Sequence, residues 1–269
     1  MTRSALSVHR LPTLPRVILC LAAFLAFPFT AHADRLPDTI EQVRPAVVGI
    51  GTYMPTRSPR VHFRGTGFVV EDGLAVMTNQ HVLPTLVDQE RRERIVVLAG
   101  EPGKPELREA EVVTQSREND LAVLRIDGSP LPALAVGDPN RLREGVAVAY
   151  TGFPIGMILG FYPVTHTAII SARTPMALPA MRDSELDPAH IARLRREERP
   201  MVFQLDGTAY PGNSGSPVYD IETGAVYAVL NKVFIQGGRE AAIREPSGIS
   251  YAIPMDLAAP LLEEYRQAD

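Results

Sequence analysis

Brief apolar or alternating runs, separated by Gly, Pro, Asn and Asp, recur along most of this chain. Residues 46–50, 67–70, 74–77, 94–98, 109–113 and 121–126 make one series. A proline-containing connection at 129–136 breaks the rhythm, and residues 145–149, 162–170, 201–205, 225–230 and 248–253 make a second. β-Branched side chains suit a pleated, half-buried surface, and short strands at regular spacing predict an all-β barrel or sandwich. The economical reading is two similar β halves, residues 34–130 and 131–269, with a linker near residues 129–141. Helices are few. Residues 37–44 are a short candidate and 254–265 read as a closing helix. Residues 186–198 have an Asp-Pro start with Ile191 and Leu194 on one face, as expected of a surface helix carried by an insertion at 173–200. No internal repeat or low-complexity tract stands out.

Chemistry concentrates in residues 206–217, Asp-Gly-Thr-Ala-Tyr-Pro-Gly-Asn-Ser-Gly-Ser-Pro, directly after an apolar run. Gly212 and Gly215 flank Ser214 closely, as needed where a backbone turns tightly and brings its N–H groups near a substrate. A serine hydroxyl is a weak nucleophile until a base takes its proton, and acyl transfer needs donors aimed at the oxyanion. The G-x-S-x-G elbow of α/β-hydrolases puts its histidine after the serine, but no histidine follows Ser214. The base is therefore upstream, in a His…Asp…Ser or an Asp…His…Ser order.

Two residues fit the first order. His81 follows a strand and a polar Thr-Asn-Gln turn, where flanking strands can hold a loop-borne side chain rigidly. Asp120 opens the apolar run 121–126, where its carboxylate is partly desolvated and can fix a histidine's tautomer. Taken alone, His81 reads as an ordinary partly buried histidine and Asp120 as a turn residue; their order with Ser214 is what singles them out. The second order would use Asp120, His166 and Ser214, but its fold alternates strands with helices, and His166 lies within an apolar run that suits packing.

Residues 65–82, 119–126, 134–145, 151–156, 204–217 and 248–254 together resemble the protease domain of the HtrA/Deg serine proteases, in order and over nearly the whole chain after its leader. The resemblance implies a chymotrypsin-like double β-barrel with the active site between the barrels, and hydrolysis of peptide bonds. It implies His81 as general base, Asp120 as its orienting acid and Ser214 as nucleophile, with the N–H groups of Gly212 and Ser214 as oxyanion hole. A primary pocket walled by Thr208, Ala209 and Tyr210 and by Ala228, Val229 and Leu230 is expected; an uncharged Thr208 disfavours Lys or Arg, and Val229 and Leu230 favour small aliphatic residues. The family usually adds a peptide-binding PDZ domain, whereas this sequence runs only 15 residues past Pro254. It commonly has Gly where Ser216 stands; Gly-Asn-Ser-Gly-Ser-Pro is shared with glutamyl endopeptidases of the same fold, and Lys232 adds a second clue that way. A glutamyl-specific protease and a catalytically silent binding module are the alternatives.

Arg3, Arg10 and Arg16 lead into the apolar run 17–27, and Ala31 and Ala33 stand at the two positions a signal peptidase reads. Residues 1–33 are thus expected to be a signal peptide directing export to the periplasm or outside the cell, the apolar run being short against the roughly 20 residues of a membrane span. No stable membrane association is expected after cleavage. The single cysteine, Cys20, lies in that leader, so core burial alone must hold the exported chain together. Beyond the leader, 24 Lys and Arg face 31 Asp and Glu, a formal charge of −7 that does not suit nucleic acid. No residue cluster has metal-ligand spacing, so a cofactor-independent enzyme acting on polypeptides is expected.

Overall fold

The computed structural model describes residues 35–155, 160–176, 199–231 and 248–268. The expected signal peptide with Cys20, the helix expected at 186–198 and Lys232 lie outside the described residues. Six strands form a closed antiparallel barrel: β1 (Val47–Tyr53), β2 (Val61–Val70), β3 (Ala75–Thr78), β4 (Arg94–Glu101), β5 (Lys104–Ser116) and β6 (Leu121–Ile126), in the order β1-β2-β3-β6-β5-β4. Six more form a second: β7 (Ala147–Gly152), β8 (Val164–Pro175), β9 (Met201–Leu205), β10 (Pro217–Asp220), β11 (Val226–Leu230) and β12 (Ser250–Pro254). Their order, β7-β8-β9-β12-β11-β10, is that of the first barrel with six added to each number. The topology therefore repeats although the sequence does not.

The all-β double barrel expected from sequence is the architecture found. Closure leaves no unpaired edge, and register breaks such as that between Ile50 and Gly51 in the β1–β2 pair help the sheet bend round. Phe68, Met77, Leu98, Leu121 and Leu124 fill the first barrel region, and Tyr150, Ile170 and Phe203 the second, all with under 2 % of their surface exposed except Leu98 at 2 %. Full burial of such side chains contributes about 1.5–3 kcal/mol each. With no disulfide available to the described chain, this burial is what holds it together.

Two strands depart from the sequence expectation. β10 has only four residues and starts at Pro217, so its period is too short to read, and its place in the sheet comes from pairing with β7 and β11. β8 runs on to Pro175, so residues 173–175, expected within the insertion, are instead strand paired to β9.

Terminal helices brace each barrel from the other's end of the chain. In α1 (Leu36–Val43), the Thr39 hydroxyl donates to Ile221 O at 2.9 Å, next to the β10–β11 turn. In α2 (Ala259–Gln267), Leu261, Leu262 and Tyr265 are buried, Tyr265 donates to the Asp72 carboxylate at 3.1 Å, and Arg266 pairs with both oxygens of Glu71 at 2.9 Å. The linker touches both barrels too, with Leu134 N–H on Val69 O and Val226 N–H on Ala135 O. Among the described residues, no helix is long and apolar enough to cross a membrane.

Candidate active site

Antiparallel pairing of β3 with β6 matches Thr78 to Ala122, so the residues leaving β3 and those entering β6 face each other just past the last rung. His81 is on the first of these segments and Asp120 on the second. Asp120 N-terminal to β6 adopts φ +51°, a left-handed conformation that aspartate tolerates better than most residues. Its carboxylate accepts His81 Nδ1–H at 2.6 Å on one oxygen and the His81 backbone N–H at 2.8 Å on the other. Its carbonyl accepts the Asn79 side-chain amide at 3.0 Å and the Gln80 N–H at 3.2 Å. The acid thus gathers three consecutive residues. A carboxylate at Nδ1 places the imidazole proton there and leaves Nε2 with its lone pair, the form that can accept a proton.

Ser214 lies in the connection from β9 to β10, half-buried beside the first barrel. Thr66 N–H on β2 donates to Ser214 O at 2.9 Å. A side chain on Gly65 would lie 2.8 Å from Val82, the residue after His81, and 3.0 Å from Ser214 O, so the base's loop and the serine's backbone converge on one glycine. Ser214 Oγ and His81 share no hydrogen bond among the described residues; in unliganded sites such bonds are commonly long and tighten with substrate. Ser214 stands between Gly212 at φ +104° and Gly215 at φ +89°, both in the region that favours glycine. Among the described residues, the N–H groups of Gly212 and Ser214 donate to no protein acceptor.

The expected pocket residues divide. Thr208 and Tyr210 are half-buried and Ala209 is buried, in the segment leading to Ser214. The Tyr150 phenol donates to Thr208 O at 2.7 Å, and its burial, with Tyr210 and Asp206 nearby, holds its pKa well above the usual phenol value, so it remains a donor. Ala228, Val229 and Leu230 have 0 % exposure and pack into the barrel cores, and Leu230 pairs with Gly215 and Ser216 through its backbone. The aliphatic preference inferred from Val229 and Leu230 loses its basis here, because strand pairing and core packing consume those residues. Ser216 is likewise fully buried, its Oγ lying 2.0 Å from where a side chain on Gly152 would begin, so it offers no hydroxyl to a pocket.

His166 packs as expected, stacked on Tyr150 at 5.2 Å with the Tyr210 ring 6.3 Å away. Burial lowers its pKa, and its Nε2 has no protein partner among the described residues. Thr66 is the residue that sequence reading missed. Only its place two residues before the hydrophobic end of a strand distinguishes it in sequence, and nothing local shows that β2 touches the serine's loop.

A family model described as a trypsin-like peptidase domain matches residues 65–229. A probable periplasmic serine endoprotease, DegP-like, from Halomonas elongata is 31 % identical over 204 residues, which are 75 % of this chain and 35 % of that protein. A namesake from Pseudomonas putida is 26 % identical over 301 residues, 96 % of this chain and 55 % of the relative. The chain thus spans roughly a third to just over half the length of these relatives. The solved structure of the HtrA-type protease AlgW with a decapeptide superposes with a TM-score of 0.63 at 22 % identity, covering 86 % of this chain and 67 % of that one, a likeness of fold.

Proposed function

The chain belongs to the trypsin-like peptidase family, and from that premise we propose that it is an exported serine endopeptidase of the HtrA/Deg kind, with His81, Asp120 and Ser214 as its triad. The observation that carries the reading is the His81–Asp120 pair at 2.6 Å, with Ser214 in a loop that bonds to the same barrel and whose own N–H and that of Gly212 have no protein acceptor among the described residues. Ser214 Oγ attacks the scissile carbonyl as His81 Nε2 takes its proton, and Asp120 stabilises the resulting imidazolium. The oxyanion of the tetrahedral intermediate accepts from Gly212 and Ser214 N–H. Its collapse breaks the C–N bond, and His81 returns the proton to the leaving amine. Water then repeats the sequence on the acyl-serine, releasing the acid and restoring the serine.

Unfolded or misfolded polypeptides are the proposed substrates; the periplasm is the proposed compartment, supported by the expected leader and by the curated relatives' description as periplasmic. Thr208 offers no countercharge, and an unpaired buried cation is costly, so Lys and Arg are disfavoured before the cleaved bond. The test pairs a fluorophosphonate label with cleavage of unfolded casein. Wild-type protein is expected to do both, whereas Ser214→Ala should lose the label and lose about 10⁶-fold in turnover. Undiminished cleavage by Ser214→Ala would refute the triad; a labelled wild type that cleaves no polypeptide would refute the endopeptidase.

A further inference from the structure

Thr66, on β2 and fully buried, meets the nucleophile loop with both of its hydrogen-bond donors. Its N–H donates to Ser214 O at 2.9 Å and its hydroxyl to Gly212 O at 2.7 Å. The same hydroxyl accepts Phe153 N–H at 3.1 Å, and Thr66 O accepts the Thr78 hydroxyl at 2.7 Å. We infer that Thr66 is a positioning residue for the oxyanion hole, the junction through which the first barrel holds the peptide planes on either side of the one that carries Ser214 N–H, and so places the Gly212 and Ser214 N–H groups relative to His81. The inference rests on the catalytic assignment proposed above.

A peptide unit is rigid and planar, so fixing a carbonyl fixes the N–H on the far side of the same plane. Gly212 N–H belongs to the plane whose carbonyl is Pro211 O, and that oxygen accepts Ile155 N–H at 2.7 Å. Ile155 holds φ +60°, a strained conformation for a β-branched residue, and is tied back to Thr66 through Phe153 two residues earlier. The next plane along the loop carries Gly212 O, which the Thr66 hydroxyl holds directly. Both planes around Gly212 are therefore fixed, one through Phe153–Ile155 and one by Thr66 itself.

Close approach of the two barrels is part of the same device. A Cβ on Gly215 would lie 2.0 Å from Thr66 O and 2.5 Å from Thr78 Oγ1, so only glycine lets the loop seat on Thr66. Thr78 closes β3 three residues ahead of His81, which joins the base's strand to the same carbonyl. One hydroxyl can donate once and accept, and Thr66 uses both capacities. Valine has nearly the same shape but would leave Gly212 O and Phe153 N–H unpaired in a dry interface, free to turn toward other partners.

The test compares Thr66→Val, Thr66→Ala and Thr66→Ser with wild type and Ser214→Ala, using steady-state cleavage of fluorescein-labelled casein by protein whose fold is checked by circular dichroism. Misplaced oxyanion donors weaken an interaction made in the transition state, so kcat should fall and KM should not. Thr66→Val and Thr66→Ala should lower kcat about 10- to 100-fold, and Thr66→Ser should stay within about 3-fold of wild type. A folded valine variant with wild-type kcat, or a serine variant as slow as the valine one, overturns the proposal. If neither apolar variant folds, Thr78→Val decides, since it removes only the bond to Thr66 O: kcat should drop about 3-fold or more at constant KM, and an unchanged kcat overturns the proposal. Full activity in Ser214→Ala would instead refute the catalytic assignment and leave nothing for Thr66 to position.

Discussion

His81 and Asp120 are joined by strand neighbours within the first barrel, whereas the loop carrying Ser214 is held from two directions. Its leading residues bond to the second barrel: Asp206 accepts Ile169 N–H, Gly207 O accepts the Ser250 hydroxyl, and Thr208 O accepts the Tyr150 phenol. Farther along, Gly215 N–H still donates to Leu230 O of β11, but the carbonyls of Gly212 and Ser214 turn the other way. Gly212 O and Ser214 O both accept from Thr66 of the first barrel. Barrels of one topology thus divide the labour: the first builds the base and its acid from its own pairing register, and the second supplies a loop whose reactive end is held by both barrels, its Gly212 and Ser214 carbonyls by the first. A site on rigid strands tolerates little displacement, and this arrangement makes the interface between barrels the element that sets its geometry.

The sharpest break of that comparison is Asp120→Asn. An amide in place of the carboxylate favours the wrong imidazole tautomer, and a loss of about 10⁴-fold in kcat is expected, as for the equivalent change in the triad mechanism. Because β3 and β6 still pair, the melting temperature should change far less than the turnover. Collapse of the fold together with activity would mean that the Asp120 carboxylate mainly holds the barrel, through its bonds to the His81 backbone N–H and ring.

A pair of glycines separates backbone strain from contact across the interface. Gly145 and Gly215 have nearly the same φ, +87° and +89°, but a Cβ on Gly145 would meet nothing within 4 Å while one on Gly215 would strike Thr66 O. Gly145→Ala should cost only the left-handed penalty, about 1–2 kcal/mol. Gly215→Ala should add overpacking of about 1–3 kcal/mol or more to that penalty. Equal losses in denaturant melts would show that the nucleophile loop does not press on the first barrel.

The smallest expected effect belongs to the second barrel alone. Burial lowers the pKa of His166, so the unfolded chain binds this proton more readily than the folded one. Stability should then fall as pH drops below the ordinary imidazole value of about 6.5, and the loss should level off once pH passes the lowered folded value. His166→Phe keeps a ring for Tyr150 to stack on and cannot titrate, so its melting temperature should decline less than wild type between pH 7.5 and 5. Parallel declines would place the acid sensitivity elsewhere. Turnover at pH 7.5 should hardly change, which sets this residue apart from those at the interface.

Much of this molecule is legible without coordinates because it is local. Strands such as β6 and β9 announce themselves by short apolar runs bounded by turn residues, the spacing of Gly212, Ser214 and Gly215 marks a tight reactive loop, and the order His81, Asp120, Ser214 excludes the hydrolase elbow. Each of these signals lies within a few residues of chain, or in their order along it. β10 escaped because four residues carry no readable period, and β8 continues past its apolar run because β9 pairs with it.

What the tertiary structure alone decides is which separate segments share a hydrogen bond. The sequence by itself determined a two-part all-β chain with a candidate base, acid and nucleophile. It could not show that Ala228, Val229 and Leu230 are consumed by core packing, since a buried strand and a pocket wall are both apolar. Nor could it show that Thr66 meets Gly212 and Ser214, 146 residues from the first of them. Barrel closure and the docking of one barrel on the other create that contact, and no local propensity encodes a partner so distant along the chain.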